Sequence, residues 1–553
     1  MKRTISLILL FIGCLLALNA QTFTEILGRP TNNSITINAL FDVQVDAYFE
    51  YGEVSGQYTA STAVTSSVVG ELVEVMMTGL KAETRYYYRT RYRKPGVSTF
   101  LAGAEHTFIT QRKSGSKFVF TIEADPHPYD PKGYHPLWDI ALNNQLTDGA
   151  DFMLDLGDTF GDDHQATTIT SAEVKQLMLD NRSHFGSVCH SMPFFFCQGN
   201  HEGESGYYLL QTPPNNLATY ETLWRKMYYP NPFPDGFYTG NETEEPNGIG
   251  KPENYYAWEW GDALFVVVDG WRYYTANAKP RNWEWTLGKQ QYDWLKQTLE
   301  TSKAKYKFVF THHVLGETRG GINIAKTFEW GGLDNGKDKF ALNRPGWAMP
   351  IHQLMVANNV TAYFQGHDHL YAREEMDNLV YQTVPMPSDS SYQLGVLANA
   401  SAFAGTVLPG AGHIRVTVSP DSVTVDYVAS RLPKDETPTK KNRDILYSYS
   451  IKGKASAINQ MLLRPDWRIY PNPAREAVNI SFPKLIYSSL VLNVYSMDGK
   501  MMKKITRNAS DCNGSNVNID LRQEGGRPLP SGIYAVELVV DGKSVSFKKL
   551  VVN

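Results

Sequence analysis

Apolar residues in the middle of the chain gather into short, nearly unbroken runs at 118–122, 152–156, 194–197, 264–268 and 308–310. Runs this short and uniform predict strands buried on both faces of a layered sheet. Tyr363-Phe364 predicts another strand, and the stretches 413–418 and 422–428 predict a hairpin. In 289–300, Tyr292, Leu295 and Leu299 recur at helical spacing, which predicts an amphipathic helix. Residues 113–455 therefore read as an α/β four-layer sandwich, two facing sheets with helices outside. Residues 21–112 follow another rhythm. Segments such as Ser34-Ile35-Thr36-Ile37-Asn38 and Ala47-Tyr48-Phe49-Glu50-Tyr51 alternate between Gly, Asn and Ser turns and predict an all-β sandwich. A linker at 456–466 leads to 467–553, a second all-β sandwich, with Leu490-Val491-Leu492-Asn493-Val494-Tyr495 running into Asp498-Gly499. The expected fold is thus multidomain, as 553 residues exceed what one core usually serves.

The N-terminus breaks every one of these patterns. Lys2 and Arg3 precede an apolar run over 5–18, and Ala20-Gln21 offers a small-residue cleavage point, so 1–20 reads as a signal peptide. The alternative is a lipoprotein acylated at Cys14, after Phe11-Ile12-Gly13. That run is short for a spanning helix and no other stretch approaches the length, so the mature chain is expected to have no transmembrane helix. Of the cysteines, Cys189, Cys197 and Cys512 survive cleavage, too few for a disulfide scaffold and without a paired CxxC for structural zinc. Cys189 and Cys197 either pair across a helix-to-strand turn or are two buried small apolar residues.

Composition adds exclusions. With 42% hydrophobic and 20% charged residues the chain is ordinary globular material. A net charge of −4 gives no basic surface for nucleic acid. The charge is uneven: 467–553 carries 12 Lys and Arg against 7 Asp and Glu, a net of +5, which leaves −9 on 1–466. A negative body that handles phosphate needs local positive charge, and bound divalent metals supply it.

The chemistry sits just after the apolar runs. Asp125-Pro126-His127 follows the first, Gly157-Asp158 the second and Gly199-Asn200-His201-Glu202 the third. His312-His313 follows 308–310, and Gly366-His367-Asp368-His369 follows Tyr363-Phe364. Strand ends in α/β sheets are where binding sites gather. A lone Asp-x-His is more often a capped loop, and Gly-Asp after a strand is usually a turn. Five such segments, all at strand ends, make coincidence a poor explanation.

Taken together, over 117–375, these motifs resemble the calcineurin-like metallophosphoesterase superfamily. The resemblance implies that Asp125, His127 and His369 hold one metal, that Asn200, His312 and His367 hold the other, and that Asp158 bridges them. His313 is the alternative to His312. The donor types fit independently, since oxygen and imidazole suit two divalent or trivalent ions of zinc, manganese or iron, and no thiolate is present. A shared carboxylate holds two cations roughly 3.5–4 Å apart, where both touch one phosphate. The run 366–374, Gly-His-Asp-His-Leu-Tyr-Ala-Arg-Glu, together with an N-terminal β-sandwich, resembles the purple acid phosphatase branch. This chain departs from it in having Gly161 where that branch has a Tyr, and His127 where it has a Gly, so no purple iron centre is expected.

Leu80-Lys81-Ala82-Glu83-Thr84-Arg85-Tyr86 resembles the corner of a fibronectin type III sandwich, in which a Leu and a buried Tyr straddle the turn. Tyr470-Pro471-Asn472-Pro473-Ala474, Ser531-Gly532-Ile533-Tyr534 and the final Lys548-Lys549-Leu550-Val551-Val552 resemble a type IX secretion sorting domain. That implies handling by the outer-membrane type IX secretion machinery, and export through periplasm and outer membrane to the medium or the cell surface.

Two metals would lower the pKa of a shared water enough to furnish hydroxide near neutral pH, for in-line attack on phosphorus. By family resemblance His201 contacts the phosphate and acts as general acid toward the leaving oxygen. Asn200 also contacts substrate, and Arg373 is either a phosphate contact or one half of a structural ion pair. Asp155, Asp162, Asp163 and His164 read as supporting or solvated groups, with Asp163 or His164 able to face substrate; Glu202 reads as orienting a neighbour. Aromatics of the insert 270–288, among them Trp271, Tyr274 and Trp285, either stack on substrate or pack the long loops down. The expected substrate is a phosphate mono- or diester. The competing readings are a dinuclear hydrolase of another ester and a non-catalytic surface protein that binds a partner.

Overall fold

The computed structural model describes residues 23–161, 163–274, 278–315, 319–394, 400–452, 467–481, 489–497, 499–508, 516–522, 527–540 and 543–553. The expected signal segment with Cys14, the linker at 456–466, Cys512, Asp162, Asp498 and the side chain of Asp163 lie outside the described residues. The chain divides into two compact units, 1–455 and 456–553. The first holds the N-terminal β region and the central α/β region, and the second is all β, as the sequence pattern predicts.

In the N-terminal region the strands Phe23–Gly28, Ser34–Phe41 and Leu72–Thr78 make one sheet, and Val45–Gly52 and Arg85–Arg93 are the backbone of the other. Ile35, Ile37, Val45, Phe49 and Tyr88 fill the space between them. At the corner Leu80 and Tyr86 are buried, and the Lys81 amide donates to the Tyr86 hydroxyl at 2.9 Å. Alternation in Ser34–Phe41 does not end in a solvated face, because Thr36 and Asn38 are buried too. Their side of the sheet is covered by the central region. The buried Arg182 donates to the Asn38 carbonyl at 2.7 Å and to Thr24 Oγ1 at 2.9 Å, and the Leu27 amide bonds to the Cys189 carbonyl. Cys189 and Cys197 are buried free thiols, so the packing alternative describes them.

The central region contains two mixed sheets face to face. One runs Phe194–Phe196, Phe152–Asp155, Phe118–Glu123, Gly412–Val418, Ser422–Ala429, Ile445–Lys452, its first three strands parallel. In the other, Ala263–Val267, Tyr306–Phe310, Ala362–Gln365 and Leu379–Thr383 are parallel neighbours. Their inner faces meet in an aromatic layer. The Phe265 ring lies 5.0 Å from Phe120, 4.9 Å from Trp258 and 5.2 Å from Phe152. The outer faces are covered by helices, among them His135–Thr147, Ser171–Gly186 and Gly288–Thr301. The last buries Tyr292, Leu295 and Leu299, the stripe the spacing predicts. Parallel order within each sheet has one consequence for function. The loops after Phe118–Glu123, Phe152–Asp155, Phe194–Phe196, Tyr306–Phe310 and Ala362–Gln365 all leave from carboxyl ends of parallel strands.

In the second unit, Arg468–Tyr470, Ala477–Ser481 and Asn516–Asp520 form one sheet, and Met501–Asn508, Ser489–Ser496, Gly532–Val540 and Lys543–Val552 the other. Leu492, Val494, Val536, Leu538 and Leu550 are its core. Among the described residues no helix is long and apolar enough to cross a membrane.

Candidate metal centre

Each strand-end loop delivers its polar residues through strained backbone. Asp125, His127, Asp158, His367 and His369 all have positive φ, between 30° and 67°. For residues with a β-carbon this costs on the order of 1 kcal/mol each and persists only where surrounding contacts over-determine it. Those contacts are visible. The Asp125 amide donates to the Gly157 carbonyl and the Gly366 amide to the His312 carbonyl, each tying two loops of one sheet together. The His367 amide donates to Asp125 Oδ2 and the His201 amide to Asp158 Oδ1, both at 2.7 Å. Glu202 is buried and accepts from the amides of Asp158, Thr159, Phe160 and Gly199, at 2.5–3.1 Å. One carboxylate thus clamps the Gly-Asp loop to the Gly-Asn-His-Glu loop, the orienting role its position suggests.

The other carboxylate and imidazole atoms converge. Asp125, His127 and His369 form one group, Asp158, His312 and His367 a second, and His127, Asp158 and His201 a third, with donor atoms in each lying within 4.8 Å of one another. His312 Nε2 is 3.0 Å from Asp158 Oδ2 and 3.6 Å from Asp125 Oδ1. His369 Nε2 lies 3.5 Å from Asp125 Oδ1, and His127 Nε2 3.6 Å from Asp158 Oδ2. His201 Nε2 stands 3.9 Å from Asp158 Oδ2. Asn200 is buried beside them.

Close as these groups are, several of their atoms make no well-formed hydrogen bond. Asp125 Oδ1, His127 Nε2, Asn200 Oδ1, His312 Nε2 and His369 Nδ1 are all buried with no hydrogen-bond partner. A buried polar atom left unpaired costs on the order of 1–3 kcal/mol, and buried polar atoms are ordinarily satisfied. Five in one cluster, all oxygen or imidazole nitrogen, are the donor set that hard and borderline divalent cations take. The residues fit a pair of such ions.

The electrostatics agree. Burial alone would raise the Asp158 carboxyl, but His312, His201 and His127 outweigh it and hold it well below its usual range. Asp125 is likewise held low against burial by His312 and His369. Burial pulls His312 down, yet Asp158 and Asp125 push it up to about 9. His367 and His369 are lowered, chiefly by burial.

His312 faces both carboxylates, whereas its alternative His313 donates from Nδ1 to the Val314 carbonyl, its pKa pulled down to about 3 by burial. Asp155 supports the turn, accepting from the Gly157 amide and the Thr159 hydroxyl. The guanidinium of Arg373 lies over the Tyr449 ring and bonds to Glu375 at 2.7 Å, the arrangement the ion-pair alternative expects. The arginine beside the cluster is Arg319, which donates to the His367 carbonyl and stands 3.9 Å from Asp368. No motif marks it, and only its place in the polar insert after His312-His313 hints at it. Trp271, Tyr274 and Trp285 are buried, Trp271 with its ring edge-on to His313 at 4.8 Å, so they pack the insert down.

Comparison with known proteins gives the same family as the motifs. Residues 118–371 match the calcineurin-like phosphoesterase family, and residues 468–553 the secretion system C-terminal sorting domain. A purple acid phosphatase of yellow lupin, PPD1, superposes with a TM-score of 0.54 at 14% identity, covering 78% of this chain and 74% of its own. The structure of PhoD superposes with a TM-score of 0.56, also at 14% identity, covering 78% of this chain and 90% of its own. At such identity these likenesses establish the fold. No curated protein sequence matches the chain. The chain thus carries a calcineurin-like phosphoesterase domain and, at its end, a sorting domain that directs it through type IX secretion to the cell surface or the medium.

Proposed function

We propose that this exported phosphoesterase is a dinuclear metalloenzyme that hydrolyses phosphate mono- or diesters. The observation that carries the reading is the set of five buried, unpaired donor atoms at strand ends from both sheets. Asp125, His127 and His369 would hold one ion, Asn200, His312 and His367 the other, with Asp158 between them. When bound, the pair supplies Lewis acidity toward the phosphoryl oxygens and lowers the pKa of a shared water.

The remaining work falls to the chain. Asp158, kept ionised by three histidines, turns Oδ2 toward His127 of one group and His312 of the other, while Oδ1 accepts from the His201 amide. Glu202 fixes Asp158 and Asn200 relative to each other by clamping both loops through their amides. Backbone geometry turns His201 away from Asn200, leaving its imidazole to contact the phosphate and protonate the leaving oxygen. Arg319 adds a fixed positive charge beside the cluster, suited to a phosphoryl oxygen. Arg373, with its guanidinium engaged elsewhere, has no part in this scheme.

Turnover of p-nitrophenyl phosphate and bis(p-nitrophenyl) phosphate by wild type, Asp158→Asn and His201→Ala is the test. Wild type should release p-nitrophenol from at least one ester. Asp158→Asn should lose bound metal and nearly all activity. His201→Ala should keep its metal and lose roughly 10²- to 10⁴-fold in kcat on an ester with a poor leaving group such as phenyl phosphate, and less on the p-nitrophenyl esters. Full activity in Asp158→Asn would overturn the ligand assignment, and no turnover of either ester by metal-replete wild type would overturn the function.

A further inference from the structure

Gly161 has no room for a side chain. A β-carbon there would lie 1.7 Å from the His201 carbonyl oxygen and 2.2 Å from the Glu202 Cα, so the loop after Asp158 runs directly over the Asn200-His201-Glu202 backbone. Its start is pinned. The Thr159 and Phe160 amides bond to Glu202, the Thr159 carbonyl accepts from Asn181, and the buried Phe160 ring packs 4.3 Å from Tyr229 and 4.7 Å from Phe196. The loop then brings His164 onto His201. The two imidazoles are stacked, 4.8 Å between centroids and 24° between planes. His201 also meets His127 at 5.3 Å, almost perpendicular.

We propose that His164 is a positioning residue for His201, its stacked ring fixing the orientation in which His201 faces the leaving oxygen. The inference rests on the phosphoesterase reading above. The His201 side chain is 24% exposed, and rotation about the second side-chain torsion of histidine is broad, so the rings packed against it bear on the orientation it holds. His127 supplies an edge and His164 supplies a face. As a water-derived oxygen forms its bond to phosphorus and the P–O bond to the leaving group breaks, the electron pair of the broken bond stays on the leaving oxygen and the His201 proton neutralises it. A misaligned ring matters little to a leaving group that carries negative charge well, and much to one that does not. Stacking of this kind is worth roughly 3- to 10-fold in the population of the aligned ring.

Steady-state hydrolysis of phenyl phosphate and p-nitrophenyl phosphate by wild type, His164→Ala and His164→Phe tests this. The alanine variant should lose roughly 10-fold in kcat on phenyl phosphate and much less on p-nitrophenyl phosphate. The phenylalanine variant, which keeps a ring and lacks nitrogen, should recover most of the loss. Equal losses on both esters, no loss, or a phenylalanine variant as poor as alanine would each overturn the proposal. The ring contact has its own readout in protein carrying 13C-labelled histidine, independent of turnover. The His201 ring-proton signal, assigned with His201→Ala, should shift on removal of His164 and return toward its place in His164→Phe. If wild type cleaves neither monoester and leaves bis(p-nitrophenyl) phosphate intact as well, the phosphoesterase reading fails on that ground alone. An unmoved His201 signal would then overturn the positioning role, and a moved one would uphold the contact it depends on.

Discussion

Gly161 shows how closely the loops of the site pack. A β-carbon there would lie 1.7 Å from the His201 carbonyl oxygen. Gly161→Ala should therefore lower the thermal midpoint, through an overpacking cost of about 1–3 kcal/mol, and reduce turnover by displacing His201. A variant as stable and active as wild type would show that the two loops separate freely. Glu25 offers a test away from the chemistry. Burial pushes its carboxyl up to about 7, against the Thr90 hydrogen bond and Arg182, while burial pulls the neighbouring His106 down to about 4. Although their atoms lie 3.4 Å apart, these two are not an ion pair near neutrality. Between pH 4.5 and 7 the folded state thus holds a proton on Glu25 that the unfolded state releases, so this group makes stability fall as pH rises through that window. Glu25→Gln should be nearly neutral at pH 4.5 and stabilising at pH 8, by at most about 3 kcal/mol, in denaturant titrations at the two pH values. Equal effects at both pH values would contradict this. At this scale the strand-end ligand motifs were legible because their spacing is local. Arg319 and the Arg373–Tyr449 contact were not, because both depend on partners 48 and 76 positions away that no spacing rule reaches.

The strands that carry the site are legible in the sequence because they are apolar throughout. Strands with charged residues are not. Tyr371–Met376 contains Arg373, Glu374 and Glu375 and reads as polar, yet it is a sheet strand because each charge has a place. Glu374 is buried and accepts from the Ile322 and Ala404 amides, and Arg373 lies over Tyr449. Tyr256–Trp260 is not legible either, its apolar pattern interrupted by the exposed Glu259. Buried partners at long range, rather than local pattern, make these segments β. The elements work as a pair of facing sheets, so the site should fail when their shared layer does. Phe265, buried with Phe120, Phe152 and Trp258 around it, is the place to test this. Phe265→Ala should cost about 3–5 kcal/mol and lower metal affinity with stability. Loss of stability with full metal affinity would show that the strand ends hold their geometry independently of the layer beneath.

On the scale of the molecule, two compact units divide the labour. The first contains every nominated ligand, and the second, 456–553, contains none. Its role as a sorting domain was legible because its sequence blocks are contiguous and terminal, unlike the scattered metal ligands. A chain ending at residue 455 should turn over esters with kcat/KM within roughly 2-fold of the full chain, yet fail to leave the cell. Loss of turnover on truncation would mean the second unit supports the site. The seven nominated ligands, the strained strand ends and the unpaired donors all support the proposal that catalysis needs two ions. Titrating metal-free protein with manganese or zinc while following p-nitrophenyl phosphate hydrolysis tests it most directly. Activity should rise from near zero and level off at two equivalents of metal. Full activity before any metal is added, or a plateau at one equivalent, would contradict it.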